Sequence, residues 1–142
     1  MQANENLGFL LAETARIWRT KLDQRLRPLG LSQAKWLVLL RLHLAKQALT
    51  QKELSELLNI EGPTLVRLLD RMEQEGWVER QASTSDRRAK TVHQTEKAQE
   101  MTREIKRVAA EVRHELLSGI DTQQLAVTTE VMKLIKQRAE NL

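Results

Sequence analysis

Arg67 and Arg71, one helical turn apart, and the adjacent pair Arg87-Arg88 are the side chains in this sequence best suited to engaging another molecule. A guanidinium is planar, permanently charged and carries parallel N–H groups, so it can hold a phosphate, or O6 and N7 of guanine, through two hydrogen bonds at once. Pro63, Thr64 and Val66 stand just before Arg67 and add a hydroxyl and a branched apolar group, the latter suited to a thymine methyl. Asp86 precedes Arg87 and is placed to orient one of its arginine neighbours through a carboxylate pair. A second group comprises Arg16, Arg19, Ser32, Trp36 and Arg80. If these converge, the arginines would clamp a carboxylate while the indole stacks on a ring.

The segments around these residues decide whether such chemistry is available. Thr50-Gln51-Lys52-Glu53 has the form of a capping box, in which the threonine oxygen accepts an N–H three residues on and the glutamate reaches back to the cap. Leu54, Leu57 and Leu58 continue it as one apolar helix face, and Asn59-Ile60-Glu61-Gly62 interrupts it. Pro63 suits a helix start because its missing N–H would have had no partner there, so a second helix is expected from Pro63 to Glu75, with Gly76 as its C-cap. On that helix Leu65, Leu68, Leu69 and Met72 share the face to be buried, and Thr64, Arg67 and Arg71 share the opposite one. Beyond Gly76 the period changes to near alternation, giving strands over 77–81 and 89–94 joined by a polar tip that contains Asp86, Arg87 and Arg88. Helix, turn, helix and basic hairpin in that order describe a winged helix-turn-helix, with the second helix in a major groove and the tip along the backbone or in a minor groove. The plainer alternative makes Arg67 and Arg71 solvated charges, with Arg71 paired to Glu75, and the tip a loop that aids solubility.

Asp86-Arg87-Arg88 followed by Val92 and Thr95-Glu96-Lys97 resembles the wing motif of MarR-type transcriptional regulators, with Gln94 where that pattern has leucine. Arg16-Ile17-Trp18-Arg19, Asp23, Arg25-Leu26, Pro28-Leu29, Leu31-Ser32-Gln33, Trp36 and Ile60 to Arg67 resemble the SlyA-like branch of that family. Gly62, Thr64 and Leu68 depart from an otherwise close match, in or beside the reading helix. The resemblance implies a mainly α fold with a small β-hairpin wing and a homodimer held by the first and last two helices. It also implies an effector pocket for salicylate-like aromatic acids near the second residue group. The dull reading of that group is that Trp18 and Trp36 anchor the core and the arginines form a solvated basic face.

The flanks carry apolar stripes that need covering. Leu7, Leu11, Trp18, Leu22 and Leu26 line a helix that ends before Pro28, and Ser32 caps another bearing Trp36, Leu39, Leu40 and Leu44. Ala98, Met101, Ile105, Val108, Val112 and Leu116 mark a long helix capped by Thr95; after a break at Ser118-Gly119, Leu125, Met132, Ile135, Ala139 and Leu142 mark a last one capped by Asp121. These helices either bury one another within a chain or pack between subunits. Packing between subunits is favoured because a two-fold dimer doubles contact with a palindromic site. The expected organisation is an N-terminal dimerisation helix over 1–30, a winged helix-turn-helix over 31–95 and C-terminal dimerisation helices over 96–142, together forming one structural domain.

Composition narrows the function classes. The 142 residues suffice for one core, and the net charge of +4 divides into +5, −1 and 0 over residues 1–49, 50–95 and 96–142. The expected DNA-binding segment is therefore not basic overall, and binding must depend on where charges sit, with acids such as Glu53, Glu56 and Glu79 turned from the phosphates. There is no cysteine, and His43, His93 and His114 lack metal-ligand spacing, so neither a disulfide nor a metal site is expected. No nucleophile-base pair or Gly-rich phosphate loop points to an enzyme or to a cofactor. No apolar run approaches the ~18 residues of a membrane span, which leads to an expectation of a cytoplasmic protein. The leading expectation is a regulator bound to a palindromic A·T-rich operator, repressing by covering a promoter or activating by displacing a silencer. The rival is a winged-helix protein-interaction module that does not touch DNA.

Overall fold

The computed structural model describes residues 3–83, 86 and 88–142. They form two compact units, one running to Ala110 and the other comprising Glu111–Leu142. A 3-10 turn, Ala3–Asn6, leads into helix α1, Leu7–Leu26. Pro28 cannot extend that helix in α form without losing a hydrogen bond, and Arg27–Leu29 tightens into a second 3-10 turn closed by Gly30 at φ 78°. Helix α2, Gln33–Leu44, starts at Ser32, whose hydroxyl accepts the Lys35 N–H at 3.4 Å. It buries Trp36, Val38 and Leu39.

Helix α3, Gln51–Leu58, opens with the capping box in full: Thr50 Oγ1 accepts from Glu53 N at 3.1 Å and Glu53 Oε1 accepts from Thr50 N at 3.1 Å. Asn59, left-handed at φ 53°, ends it. Helix α4, Gly62–Gln74, begins one residue before the expected Pro63, with Glu61 as an N-cap that makes no side-chain bond. Pro63 therefore occupies the second helical position, where its lack of an N–H is equally harmless. Glu75 is the C-cap, and Gly76 follows at φ 84°, a backbone region where a Cβ would be strained.

The sheet has three antiparallel strands in the order β1-β3-β2, formed by Leu49–Thr50, Val78–Ala82 and Lys90–Gln94. Arg80 pairs with Val92 across the hairpin, and Leu49 pairs with the same Val92 from the other side. Sequence periodicity missed β1, because two residues are too short to show alternation and Thr50 is already the cap of α3. Val92, flanked by strands on both sides, is 2% exposed. Gln94 is accommodated by hydrogen bonds where the family pattern has leucine: its Nε2 donates to the Leu39 carbonyl at 2.6 Å and to Thr102 Oγ1 at 3.0 Å. Thr102, buried at 1% exposure, in turn donates to the Ala98 carbonyl at 2.8 Å.

Within the first unit α3 packs on α2 and α4, α2 on β3, and α4 on β2. Leu26, Trp36, Leu39, Leu54, Leu65, Leu69, Met72, Val78 and Val92 make its dry centre. Helix α5, Glu96–Leu117, adds Ala98, Ile105 and Val108 to the buried set. Thr95 caps it: its Oγ1 accepts from Ala98 N at 3.2 Å and donates to the Gly76 carbonyl at 2.6 Å, tying the helix start to the turn after α4. In the second unit, helix α6, Thr122–Glu140, starts at Asp121, whose Oδ1 accepts from Gln123 N at 2.7 Å. α6 buries nothing: Val127, Val131, Met132 and Leu134 are 45–62% exposed. On α1, Phe9, Leu10 and Ile17 are likewise exposed. Among the described residues, no helix is long and apolar enough to cross a membrane.

Candidate nucleic-acid interface

Helix α4 separates its faces as its periodicity predicts. Leu65, Leu68, Leu69 and Met72 are no more than 5% exposed, whereas Pro63, Thr64, Val66, Arg67 and Arg71 all face solvent. Arg67 Nη2 lies 3.5 Å from Thr64 Oγ1, one turn earlier on the same face. That distance is long for a hydrogen bond and leaves the guanidinium available. The expected alternative partner of Arg71, Glu75, instead holds Lys35 of α2 at 2.7 Å. Arg71 makes no ion pair among the described residues.

The remaining acids of α4 are engaged from the sheet side. Arg80 of β2 places Nη2 2.6 Å from Asp70 Oδ1 and 3.1 Å from Glu73 Oε1, and its Nη1 donates to Gln51 Oε1 at 3.3 Å. The Arg80 backbone N–H also donates to Glu73 Oε2 at 3.1 Å. Arg80 thus joins α3, α4 and β2. The hydrogen bond from its guanidinium, reinforced by that from its backbone, holds the Glu73 carboxyl below its ordinary value of 4.5. The same bond raises the Arg80 guanidinium against the opposing effect of burial. The outer face of α4 keeps Arg67 and Arg71 without an ion pair among the described residues, while Arg80 holds Asp70 and Glu73 and Lys35 holds Glu75. Glu53 is committed to the capping box, and Glu56 and Glu79 are exposed.

At the hairpin tip Asp86 acts on the backbone. Its Oδ1 accepts the Arg88 N–H at 2.9 Å, and its carbonyl accepts from Ala89 N at 3.1 Å, forming an Asx turn that presents Arg88 to solvent. The turn uses one Asp86 oxygen on the backbone, a bond a short side chain reaches easily two residues on. Arg87 lies outside the described residues. Behind the wing, Lys97 Nζ sits 4.1 Å from the centre of the Trp77 ring and donates to the Glu75 carbonyl at 2.7 Å. These partners of Lys35 and Lys97 are not legible in the sequence, since the ion pair joins residues 40 positions apart and the Lys97 hydrogen bond residues 22 apart.

The second residue group does not converge. Trp36 is 1% exposed, and its indole N–H donates to Asp23 Oδ1 at 3.0 Å, so the ring is an anchor between α1 and α2 and has no free face. Arg80 is occupied by Asp70 and Glu73, and Ser32 by the cap of α2. Arg16 and Arg19 remain exposed on α1, with Arg16 bordering a shallow hollow of about 230 Å³ beside Thr20 and Lys21. No group of three or more His, Cys, Asp or Glu that could hold a metal occurs among the described residues.

A capped helix, a turn, an arginine-bearing helix and a three-stranded wing together define a winged helix-turn-helix, the architecture of a class of transcriptional regulators. A MarR family sequence profile matches residues 29–89. The crystal structure of transcriptional regulator PA3341 is 47% identical and superposes with a TM-score of 0.88 over 95% of this chain and 98% of that one. A MarR transcriptional regulator from Methanosarcina mazei Go1 is 25% identical, with a TM-score of 0.80 over 97% and 99% of the two chains. The chain belongs to the MarR family of transcriptional regulators. The transcriptional regulator SlyA, 19% identical with a TM-score of 0.80 over 96% of this chain and 95% of its own, shares the fold.

Proposed function

We propose that the protein is a homodimeric, sequence-specific DNA-binding regulator that places α4 in the major groove and the wing in the adjacent minor groove of a palindromic, A·T-rich operator. The observation that carries this reading is the charge sorting on α4: Thr64, Arg67 and Arg71 are exposed, while Asp70 and Glu73 are held by Arg80. Arg67 would read guanine edges, Val66 a thymine methyl, and Pro63 with Thr64 the entry into the groove. Arg71, Arg88 and Arg87 would contact phosphate or the minor groove, with Asp86 shaping the tip. The exposed apolar residues of α1 and α6 support assembly with a second copy, which would set the two reading helices about 34 Å apart, one turn of B-DNA. Placement beside SlyA within the family rests on the sequence motifs of α1, α2 and the start of α4. Modulation by a salicylate-like aromatic acid would fall to Arg16 and Arg19, the two exposed arginines among Arg16, Arg19, Ser32, Trp36 and Arg80.

Fluorescence anisotropy with duplexes selected from genomic fragments tests the reading. Arg67→Ala combined with Arg88→Ala should weaken binding by at least about tenfold, as expected for loss of a bidentate base contact and a phosphate contact. Undiminished affinity would refute the assigned roles and favour a protein-interaction module. A footprint without two-fold symmetry would refute the dimeric reader.

A further inference from the structure

The turn that joins α4 to the wing presents three consecutive carbonyls, and two residues at the start of α5 take all of them. Thr95 Oγ1 donates to the Gly76 carbonyl at 2.6 Å and Thr95 N to the Trp77 carbonyl at 3.1 Å. Lys97 Nζ donates to the Glu75 carbonyl at 2.7 Å and lies 4.1 Å from the centre of the Trp77 ring. Val78, the next residue, opens β2 and pairs with Gln94, the residue before Thr95. The wing therefore leaves α4 and returns to α5 through one cluster of contacts.

Local helix stability does not account for Lys97. It is the second residue of α5, where a cation opposes the helix dipole, whereas the carbonyl it holds lies at the C-terminal end of α4, where a cation is favoured. Nor is its partner the Glu75 carboxylate, which pairs with Lys35 of α2 at 2.7 Å. We propose that Lys97 is a positioning residue for DNA reading: by joining the end of α4 to Trp77 it fixes the angle at which the wing leaves the reading helix. The proposal rests on the DNA-binding function above, because Arg67 and Arg88 reach their two grooves together only if the elements that carry them keep one orientation. Methionine at position 97 keeps an apolar stem but neither the hydrogen bond nor the cation–π contact. The wing would then sample several angles and binding would have to select one, which lowers affinity with no base or phosphate contact removed.

The test uses the full chain labelled with ¹⁵N, unmodified and as Lys97→Met and Lys97→Arg. Lys97 is exposed, so both variants keep the fold, which their own spectra verify. Residual dipolar couplings of α4, β2 and β3 amides should fit one orientation in the unmodified protein and in Lys97→Arg. In Lys97→Met the couplings of the wing should be scaled down relative to those of α4. In anisotropy titrations with the duplexes selected from genomic fragments, Lys97→Met should weaken binding by about two- to fivefold, the size of one exposed cation–π contact, and Lys97→Arg should stay close to the unmodified protein. Arg88→Ala should cost less in the Lys97→Met background than alone, because a loosened wing already contributes less. A smaller folded fraction, or an independent phosphate contact at Lys97, would leave that cost unchanged. Unaltered couplings in Lys97→Met, unaltered affinity, equal costs of Arg88→Ala in the two backgrounds, or no rescue by arginine would each overturn the proposal. Scaled-down wing couplings in Lys97→Met of a protein that binds no duplex would uphold Lys97 as the anchor of the wing and refute the DNA-binding reading instead.

Discussion

Arg80 shows how one side chain can take a role that its type does not announce. A sequence places it among cations available to a ligand, yet its guanidinium is spent on Asp70, Glu73 and Gln51. Replacing it with methionine should keep the packing of its stem but leave two carboxylates facing each other on α4. Both acids are about half exposed, with side-chain accessibilities of 52% and 42%, so solvent screens much of the interaction. The cost should be about 1 kcal/mol in urea unfolding rather than the several expected of a buried pair. DNA affinity should fall as well, because the two acids would no longer be neutralised, although neither is expected to touch the duplex. Glu73 adds a pH dependence whose sign is set by its lowered pKa. A carboxyl depressed in the folded state contributes stability that is present above its ordinary value of 4.5 and is lost as pH falls through the folded value. Acid unfolding of Glu73→Gln should therefore show a shallower loss of stability below about pH 4.5 than the unmodified protein.

Gln94 replaces apolar packing with hydrogen bonds at the end of β3. Leucine in its place would fill the strand end by apolar packing, whereas glutamine meets two acceptors, the Leu39 carbonyl and the Thr102 hydroxyl. Gln94→Ala should cost about 1–2 kcal/mol, measured by thermal or urea unfolding, because two hydrogen bonds are lost and Thr102 stays buried. Gln94→Leu should recover part of that loss.

Among the elements, α3 and α4 were legible almost residue by residue. Their signals are local: a capping box at Thr50 and Glu53, a stop at Asn59, a proline at the second position of α4 and a leucine stripe. The wing was legible in outline through its alternation. Its third strand was not, since Leu49–Thr50 is defined by pairing with Val92 and Thr91, which lie about forty residues later in the chain. Gly76 is the hinge between these elements, left-handed at φ 84° and carrying the carbonyl that Thr95 grips from the start of α5. Gly76→Ala should destabilise the fold by about 1 kcal/mol through backbone strain, since its neighbourhood has room for a methyl group, with Lys97 3.9 Å from the added Cβ. Far-UV circular dichroism with thermal melting would read that change.

For the whole molecule the open surface is the apolar one. α6 leaves Val127, Val131, Met132, Leu134 and Ile135 exposed, and α1 leaves Phe9, Leu10 and Ile17 exposed. Val131→Asp together with Ile135→Glu should convert the protein to a monomer in sedimentation velocity. Helix content should be kept, because both side chains are exposed on α6. The doubly substituted protein should lose high-affinity operator binding, since two half-sites would no longer be joined. A dimer that survives both substitutions would refute the assignment of α6 to the interface.

The sequence by itself determined the helix caps at Ser32, Thr50, Thr95 and Asp121, which faces of α4 turn inward and outward, and that Arg67 and Arg71 lie on the outer one. Those features follow from contacts no more than four residues apart, which periodicity and capping record directly. Tertiary structure alone decided which charges are spent and which remain free. Arg80 turns to α4, Lys35 to Glu75 and the Trp36 indole to Asp23, while Arg67, Arg71 and Arg103 keep no ion-pair partner among the described residues. The physical reason is that an ion pair or a buried polar group chooses its partner by proximity in space, and the distance along the chain carries no trace of that choice.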